Sequence, residues 1–521
     1  MNDFRQGIVV VLLMCLVAGC ATQPGISSQD IDALVTDAMQ EFSVPGVAVG
    51  VIKDGVVVHA AGYGVRELGL ADPVDLQTMF RIASTTKAVT TASLAILVDA
   101  GKLSWDDKVV DYIPEFALYD PWVTKEFTVA DLLTHRSGLE GGAGDLMLWP
   151  KPNKFTRADL INGLSYFKPE SAFRTEYAYD NLLYIVAGEL VPAVTGMQWS
   201  DFVEQNIFNK LGTSRCFAGR IPEQQMQNLA APHTVIDGKL QVVERNRARA
   251  EVDVAAAAGG VRCSLEDMLK WTQLQLVRGE LADGSRVFSA EQSRIMWSPH
   301  TIQSVSAEAY ERDRTHFRAY ALGWRLADVE GYKQVAHTGS YTGFRSFVIL
   351  MPGIDLGVVI MLNASASAAR DAIAQGIVKP YLGVRDVDWL QYIIRENEQA
   401  AAAELEEEPE VIDFRHGSVD APPGTYAGLY RDPWFGDVSI EFIDGDLWFV
   451  SEKSPKMKGK LWPYEGHTFY AYWEDQTLEA DAFVTFEIDT TGNSLRMDVL
   501  QVSEEADWDF TDLDLPRVTD E

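Results

Sequence analysis

Ser84-Thr85-Thr86-Lys87 opens a long apolar segment, Ala88, Val89, Ala92, Leu94, Ala95, Ile96 and Leu97, that stops at Gly101. So little polar face remains that the pattern predicts a helix packed on several sides, from about Ala83 to the glycine. Ser84 and Lys87, three residues apart, then share one face, and the amine can reach the hydroxyl. A serine hydroxyl is a weak nucleophile, and a partly desolvated lysine is one recognised way to activate it. The helix N-terminus adds N–H donors and the positive end of the macrodipole, which favour negative charge developing during attack. The competing reading is an N-cap serine with a solvated lysine behind it. Ser-x-x-Lys is a loose pattern and recurs at Ser165-Tyr166-Phe167-Lys168, where Pro169 disfavours helical geometry at Lys168 and the match is read as chance.

Two partner segments tip the balance. Tyr179 and Asn181 flank Asp180 and can project to one side of an extended segment, offering a phenol for proton transfer and an amide for the lysine and a substrate carbonyl. Taken alone they are a buried tyrosine and a helix cap before Leu182-Leu183-Tyr184-Ile185-Val186. His337-Thr338-Gly339-Ser340 ends a strand-like run and precedes another, Phe344 to Met351. Such an edge offers a hydroxyl, a glycine for close approach and a backbone N–H as oxyanion donor. A histidine in a turn is otherwise an ordinary polar surface residue.

With these three segments, the chain resembles the serine β-lactamase and D-alanyl-D-alanine carboxypeptidase superfamily in its class C-like branch, which also holds D-aminopeptidases and esterases. Pro45-Gly46, Gly62-Tyr63-Gly64, Phe80-Arg81-Ile82-Ala83, Leu132-Leu133-Thr134-His135-Arg136-Ser137-Gly138-Leu139, Gly259-Gly260, Gly323-Trp324 and Gly343-Phe344 carry the resemblance over roughly residues 28 to 385. It implies Ser84 as nucleophile, Lys87 as its base or proton relay, and Tyr179 as the group that protonates the leaving group or activates the deacylating water. Asn181 would orient the acyl side chain, the N–H groups of Ser84 and Ser340 would form the oxyanion hole beside Gly339, and His337 with Thr338 would hold the proton network and a substrate carboxylate. At position 337 class C β-lactamases carry lysine, so histidine looks like the peptidase branches and should make the proton inventory more pH-sensitive. The resemblance assigns His135 to shaping the floor of the site. Arg345 is a further candidate for a substrate carboxylate, against the alternative of a surface arginine.

No Gly-x-Ser-x-Gly elbow, metal motif or nucleotide fingerprint occurs, and no cofactor is expected. The net charge of −32, from 44 basic and 76 acidic side chains in 521 residues, argues against sequence-independent nucleic-acid binding and against adsorption to anionic lipid. Membrane attachment is expected only from the N-terminus. There Ile8 to Gly19 is too short to span a bilayer and ends at Val17-Ala18-Gly19-Cys20, which looks like a bacterial lipoprotein signal with Cys20 lipidated; the alternative is an ordinary secretory signal. Residues 1–20 would then lie outside the fold, and Ala21 suggests outer-membrane sorting in a Gram-negative periplasm. Cys216 and Cys263 remain, as a disulfide or as two buried thiols.

Periodicity gives a helix at Asp30 to Phe42, a hairpin of Val47 to Ile52 with Val56 to Ala60, a helical middle, strands near Ala321, Val335, Ser346 and Val358, and a helix around Ala368 to Val378. This is an α+β fold: an antiparallel sheet flanked by helices, over residues 28–390. An acidic Ala/Glu/Pro linker is expected over 391–423. Residues 424–517 resemble a lipocalin-like antiparallel β-barrel, in which Val438, Ile440 and Phe442 should face inward. It would cap the cleft, assemble protomers or simply add stability. The expected activity is acyl-enzyme hydrolysis of short peptides, peptidoglycan-like amides or linear fragments of opened cyclic peptides. A carboxylesterase with the same site, or a penicillin-recognising protein with little turnover, are the alternatives. Specificity should lie in loops such as Gly141 to Phe155 and Ser304 to His316.

Overall fold

The computed structural model describes residues 25–236, 238–248, 253–406, 417–478, 480–502 and 510–519. Cys20 and the signal-like segment lie outside the described residues, as does most of the acidic tract after residue 406.

Eight antiparallel strands form the central sheet in the order Val56–Gly64, Gly46–Lys53, Leu356–Leu362, Phe344–Met351, Tyr332–Tyr341, Arg325–Val329, Arg318–Tyr320 and Thr301–Gln303. Both faces are covered, so the central strands are apolar at consecutive positions and side chains alternate between two cores. Val47, Val49 and Val51 point toward the helices Ser28–Glu41 and Ser367–Tyr381, while Ala48 and Ile52 join the core of the helical middle. Ser28–Glu41 is capped by Ser27 and buries Ile31, Val35 and Ala38 along one stripe.

The segment around Ser84 differs from the single helix expected. A tight 3-10 turn, Ala83–Thr85, runs into the α-helix Thr86–Asp99. Every residue from Thr86 to Ala95 is buried, and Thr90 and Ser93 satisfy their hydroxyls on the carbonyls of Ala257 and Thr90.

Cys216 and Cys263 occupy directly paired positions of neighbouring strands and are joined as a disulfide, which settles the two alternatives. The crosslink spans 47 residues of chain, worth about 4 kcal/mol on the loop-entropy model. Reduction, or Cys216→Ser with Cys263→Ser, is therefore expected to lower the melting temperature measurably, without loss of the Ser84 geometry; an unchanged melting curve would contradict the crosslink.

The expected linker over 391–423 begins too early. Trp389–Glu406 is a helix that packs back on Ser367–Tyr381 and buries Trp389 and Ile393. Alanine and glutamate are strong helix formers, and the two apolar anchors give the helix something to bury. Beyond it, eight antiparallel strands from Gly428–Asp432 to Leu515–Pro516 make a nearly closed barrel. The Tyr430–Arg517 bridge and the hydrogen bond from Val518 N–H to the Leu429 carbonyl, 2.8 Å, draw its ends together. Val438 and Ile440 face inward as expected, but Phe442 is 56% exposed. There the strand is past its pairing with Gly428–Asp432 and is paired only with Asp446–Ser451, next to the Asp444-Gly445 turn.

The barrel packs on the N-terminal domain. Trp434 lies 4.9 Å from Phe167, and Phe435 5.8 Å from Phe155, between ring centroids. Lys453 pairs with Asp159 at 2.8 Å, and its carbonyl accepts the Lys154 N–H at 2.8 Å. Arg245 donates to the Thr477 carbonyl at 2.6 Å. The second Ser-x-x-Lys is absorbed here: Phe167 is core, Lys168 is exposed, and the Ser165 hydroxyl bonds to the Asn162 carbonyl. Among the described residues no single helix is long and apolar enough to cross a membrane.

Candidate active site

Ala83 takes a left-handed conformation, φ 46°, unusual for a residue with a side chain and a form of strain that clusters at functional sites. It turns the chain so that Ser84 is left half-buried while Lys87 is wholly enclosed. The Lys87 amine donates to Ser84 Oγ at 3.3 Å, to Asn181 Oδ1 at 2.7 Å and to the Ala258 carbonyl at 3.1 Å. Burial pulls it down to about 7; Asp145 and Asp180 push the other way, and Arg325 adds to the fall. The three donated bonds are those of the ammonium; with the pKa drawn toward neutrality the free amine is accessible, and in it the Ser84 hydroxyl donates to the nitrogen lone pair.

Tyr179 sits beside this pair in hydrogen-bond contact with Ser84, its ring 4.6 Å from Lys87 Nζ. Burial raises its pKa well above that of free tyrosine, so it carries its proton at neutral pH. Asn181 ends the segment at the start of the helix Leu182–Thr195, but its side chain is not a cap. It accepts from Lys87, as expected, and donates to Asp145 Oδ2 at 2.9 Å, which fixes the amide beside the lysine. His135, also at positive φ (52°), is buried under Tyr179 at 4.1 Å between centroids and takes the Asp180 N–H on Nδ1 at 3.0 Å. It forms the floor of the site.

The strand Tyr332–Tyr341 forms the opposite wall. Its pairing with Arg325–Val329 ends at Ala336, so from His337 onward that edge of the strand is unpaired. Gly339 allows the close approach: an added Cβ would overlap the Ile82 carbonyl and the Ser346 hydroxyl. Gly339→Ala is therefore expected to push the strand away from the Ala83–Thr85 turn, costing about 1–3 kcal/mol of stability and roughly a hundredfold in turnover, since such misplacement is costly. A wild-type rate would show that the approach is not required. Ser340 is exposed on this edge, where its N–H can serve a substrate oxygen.

His337 is only 1% exposed. It accepts from the Tyr320 hydroxyl on Nε2 at 2.8 Å and donates from Nδ1 to the Thr338 carbonyl at 2.6 Å. Burial, Arg325 and Lys87 hold it well below the usual histidine range, so it is the neutral imidazole expected at this position. Thr338 points to the other face of the strand, onto a cleft of ≈ 850 Å³ bordered by Tyr177 and Arg325. The two residues expected to act together are divided by the strand itself. Arg345 is corrected too: it bonds the Ser367 hydroxyl and the carbonyls of Tyr341 and Phe344, bracing the turn after the strand.

Three contributors went unread in the sequence: Tyr320, Arg325, whose guanidinium lies 5.7 Å from the Tyr179 ring, and Asp145. Arg325 directly follows Gly323-Trp324, the one local signal that could have drawn notice. Among the described residues no group of three or more metal-ligating side chains occurs.

The geometry can be set beside known proteins. A family model described as Beta-lactamase matches residues 31–379, and one described as Domain of unknown function (DUF3471) matches residues 419–517. The chain is 26% identical over 448 residues to "Unguisins hydrolase ungD" of Aspergillus violaceofuscus, covering 80% of this chain and 77% of that protein. It is 27% identical over 343 residues to "Penicillin-binding protein 4" of Amycolatopsis lactamdurans, covering 65% and 84%. The octameric penicillin-binding protein homologue from Pyrococcus abyssi shares the fold, with a TM-score of 0.60, 21% identity and coverage of 91% and 98%. On the match over residues 31–379, this chain belongs to the Beta-lactamase family.

Proposed function

We propose that the protein hydrolyses short peptides or peptidoglycan-like amides through an acyl-enzyme on Ser84. The observation that carries this reading is the enclosed Lys87, drawn toward neutrality and in hydrogen-bond contact with the serine. Lys87 takes the serine proton as Oγ attacks the carbonyl carbon, and the oxyanion that forms is met by the N–H groups of Ser84 and Ser340. Tyr179, protonated and beside Ser84, passes a proton to the leaving amine and is recharged from the ammonium of Lys87. Water then enters, loses a proton along the same route in reverse, and releases the acid. The similarity to proteins named as a hydrolase and as a penicillin-binding protein supports this chemistry.

The test compares the chain lacking residues 1–20 with its Ser84→Ala variant, first with a fluorescent penicillin, then with D- and L-peptide amides and simple esters. Serine-dependent amide cleavage is expected. Ester turnover alone would make the protein a carboxylesterase, and a stable adduct with no product a penicillin-recognising binding protein.

A further inference from the structure

The unpaired edge of the strand Tyr332–Tyr341 has two ends. His337 lies at one, with its ring 6.4 Å from that of Tyr179, the group beside the leaving amine. Tyr341 lies four residues on, about 13 Å away in extended backbone. A substrate aligned along this edge therefore sends its leaving group toward Tyr179 and the retained, acyl arm toward Tyr341.

Beyond Tyr341 is a cavity of ≈ 160 Å³, large enough for a carboxylate and open on one side. Its walls are cationic in a protein whose net charge is −32. Arg81 stacks on Tyr341 at 3.8 Å and pairs with Asp253 at 2.9 Å. Lys151 reaches the other oxygen of the same carboxylate at 3.4 Å, and Arg247 is matched by Glu67 and Glu244. Arg245, 6% exposed, is held from behind by the barrel through Thr477. Arg262 is different: its backbone belongs to the strand ladder, but among the described residues its side chain makes no hydrogen bond and no ion pair, although it lines the same small space. Burial and the neighbouring charge of Arg81 pull it down to about 10, a stress that an entering anion would relieve. Among the described residues of the lining the one carboxylate is Asp253, which pairs with Arg81 and Lys151 and offsets part of the stress on Arg262.

We propose that this cavity receives a carboxylate carried by the acyl-side residue of the substrate, with Arg262 as the principal contact, so that the enzyme prefers peptides acidic at that position. The inference rests on Ser84 being the nucleophile. A cationic pocket with low-dielectric walls selects an anion locally even where the whole molecule repels it, and a guanidinium with its donors open suits a carboxylate.

The experiment uses the full chain and pairs of α-aryl esters, N-acetyl-glutamyl against N-acetyl-glutaminyl, in both stereochemistries. Aryl esters need only acyl transfer to serine, so they report whether or not amides are cleaved. The expected kcat/KM ratio of glutamyl to glutaminyl is roughly tenfold or more, the worth of one charge-assisted hydrogen bond. In Arg262→Gln the ratio is expected to fall to within about twofold, and in Arg262→Lys to lie between. Turnover of both esters with a wild-type ratio at or below one overturns the pocket and leaves the nucleophile standing, as does a ratio preserved in Arg262→Gln. No turnover of either ester overturns both. The wild-type ratio decides the matter even if a variant fails to fold.

Discussion

Ser84→Ala is expected to remove covalent labelling by serine-directed acylating agents and to lower turnover by at least roughly 10⁴-fold, with the melting temperature near that of the parent. The size follows from the way nucleophile, base and acid act as one unit, so that loss of the nucleophile leaves only binding and the oxyanion donors. The stability follows from the surroundings. Ser84 Oγ receives one hydrogen bond from Lys87, and that amine keeps two more acceptors, the Asn181 side chain and the Ala258 carbonyl. The strained turn at Ala83 is held by main-chain and Thr85 contacts that the substitution leaves in place. Intact-mass measurement of the adduct with steady-state kinetics checks both parts. Labelling that persists without Ser84 would move the nucleophile elsewhere.

The second large effect belongs to Lys87. Lys87→Met is expected to lower turnover by roughly 10³-fold or more, since a positioned base contributes about that factor. In the parent, kcat/KM should rise with pH along a limb centred near 7. The sign follows from the base being the neutral amine: below about 7 the site holds an ammonium that cannot accept the serine proton, and above it the amine is free. Tyr179, pushed upward by burial, adds no falling limb near neutrality, and His337, pushed well down, adds no step of its own. A limb near 10 would mean that the lysine titrates as if solvated. A pH-independent rate would remove it from proton transfer.

Residues that act through near neighbours in the chain were the legible ones. Ser84 and Lys87 are three apart, and their relation survives even though the turn at Ala83–Thr85 replaces the first turn of the expected helix. Tyr179 was readable because its partners sit in ordered, well-separated segments. The misreadings have both distant and local causes. His337 looks like a polar turn residue until the Tyr320 hydroxyl from another strand caps it. Thr338 follows His337 directly in a strand, and alternation alone sets the two on opposite faces. Arg345 resembles a ligand-binding arginine, but Ser367 and the carbonyls of its own turn claim its donors. The start of the linker was misplaced because acidic composition suggests solvated chain, whereas Trp389 and Ile393 anchor a helix. Both domains were recognisable from their own patterning. That Trp434 and Phe435 would pack on Phe167 and Phe155 was not, because docking partners leave no periodic trace.

The barrel's grip on the catalytic half bears on how the enzyme comes into being. Asp159 and Lys453 are 294 positions apart, and Arg245 and Thr477 are 232 apart. Contacts of such separation form late, after the entropy of closing long loops has been met. On a chain emerging from its N-terminus, Ser84, Lys87 and Tyr179 appear early, yet the loop that ends at Phe155 and the wall held through Arg245 wait for the barrel to be synthesised and folded. The last part made is thus the part that completes the first, and a molecule cut short after its catalytic motifs would carry every reacting group while lacking the frame that shapes the site around them.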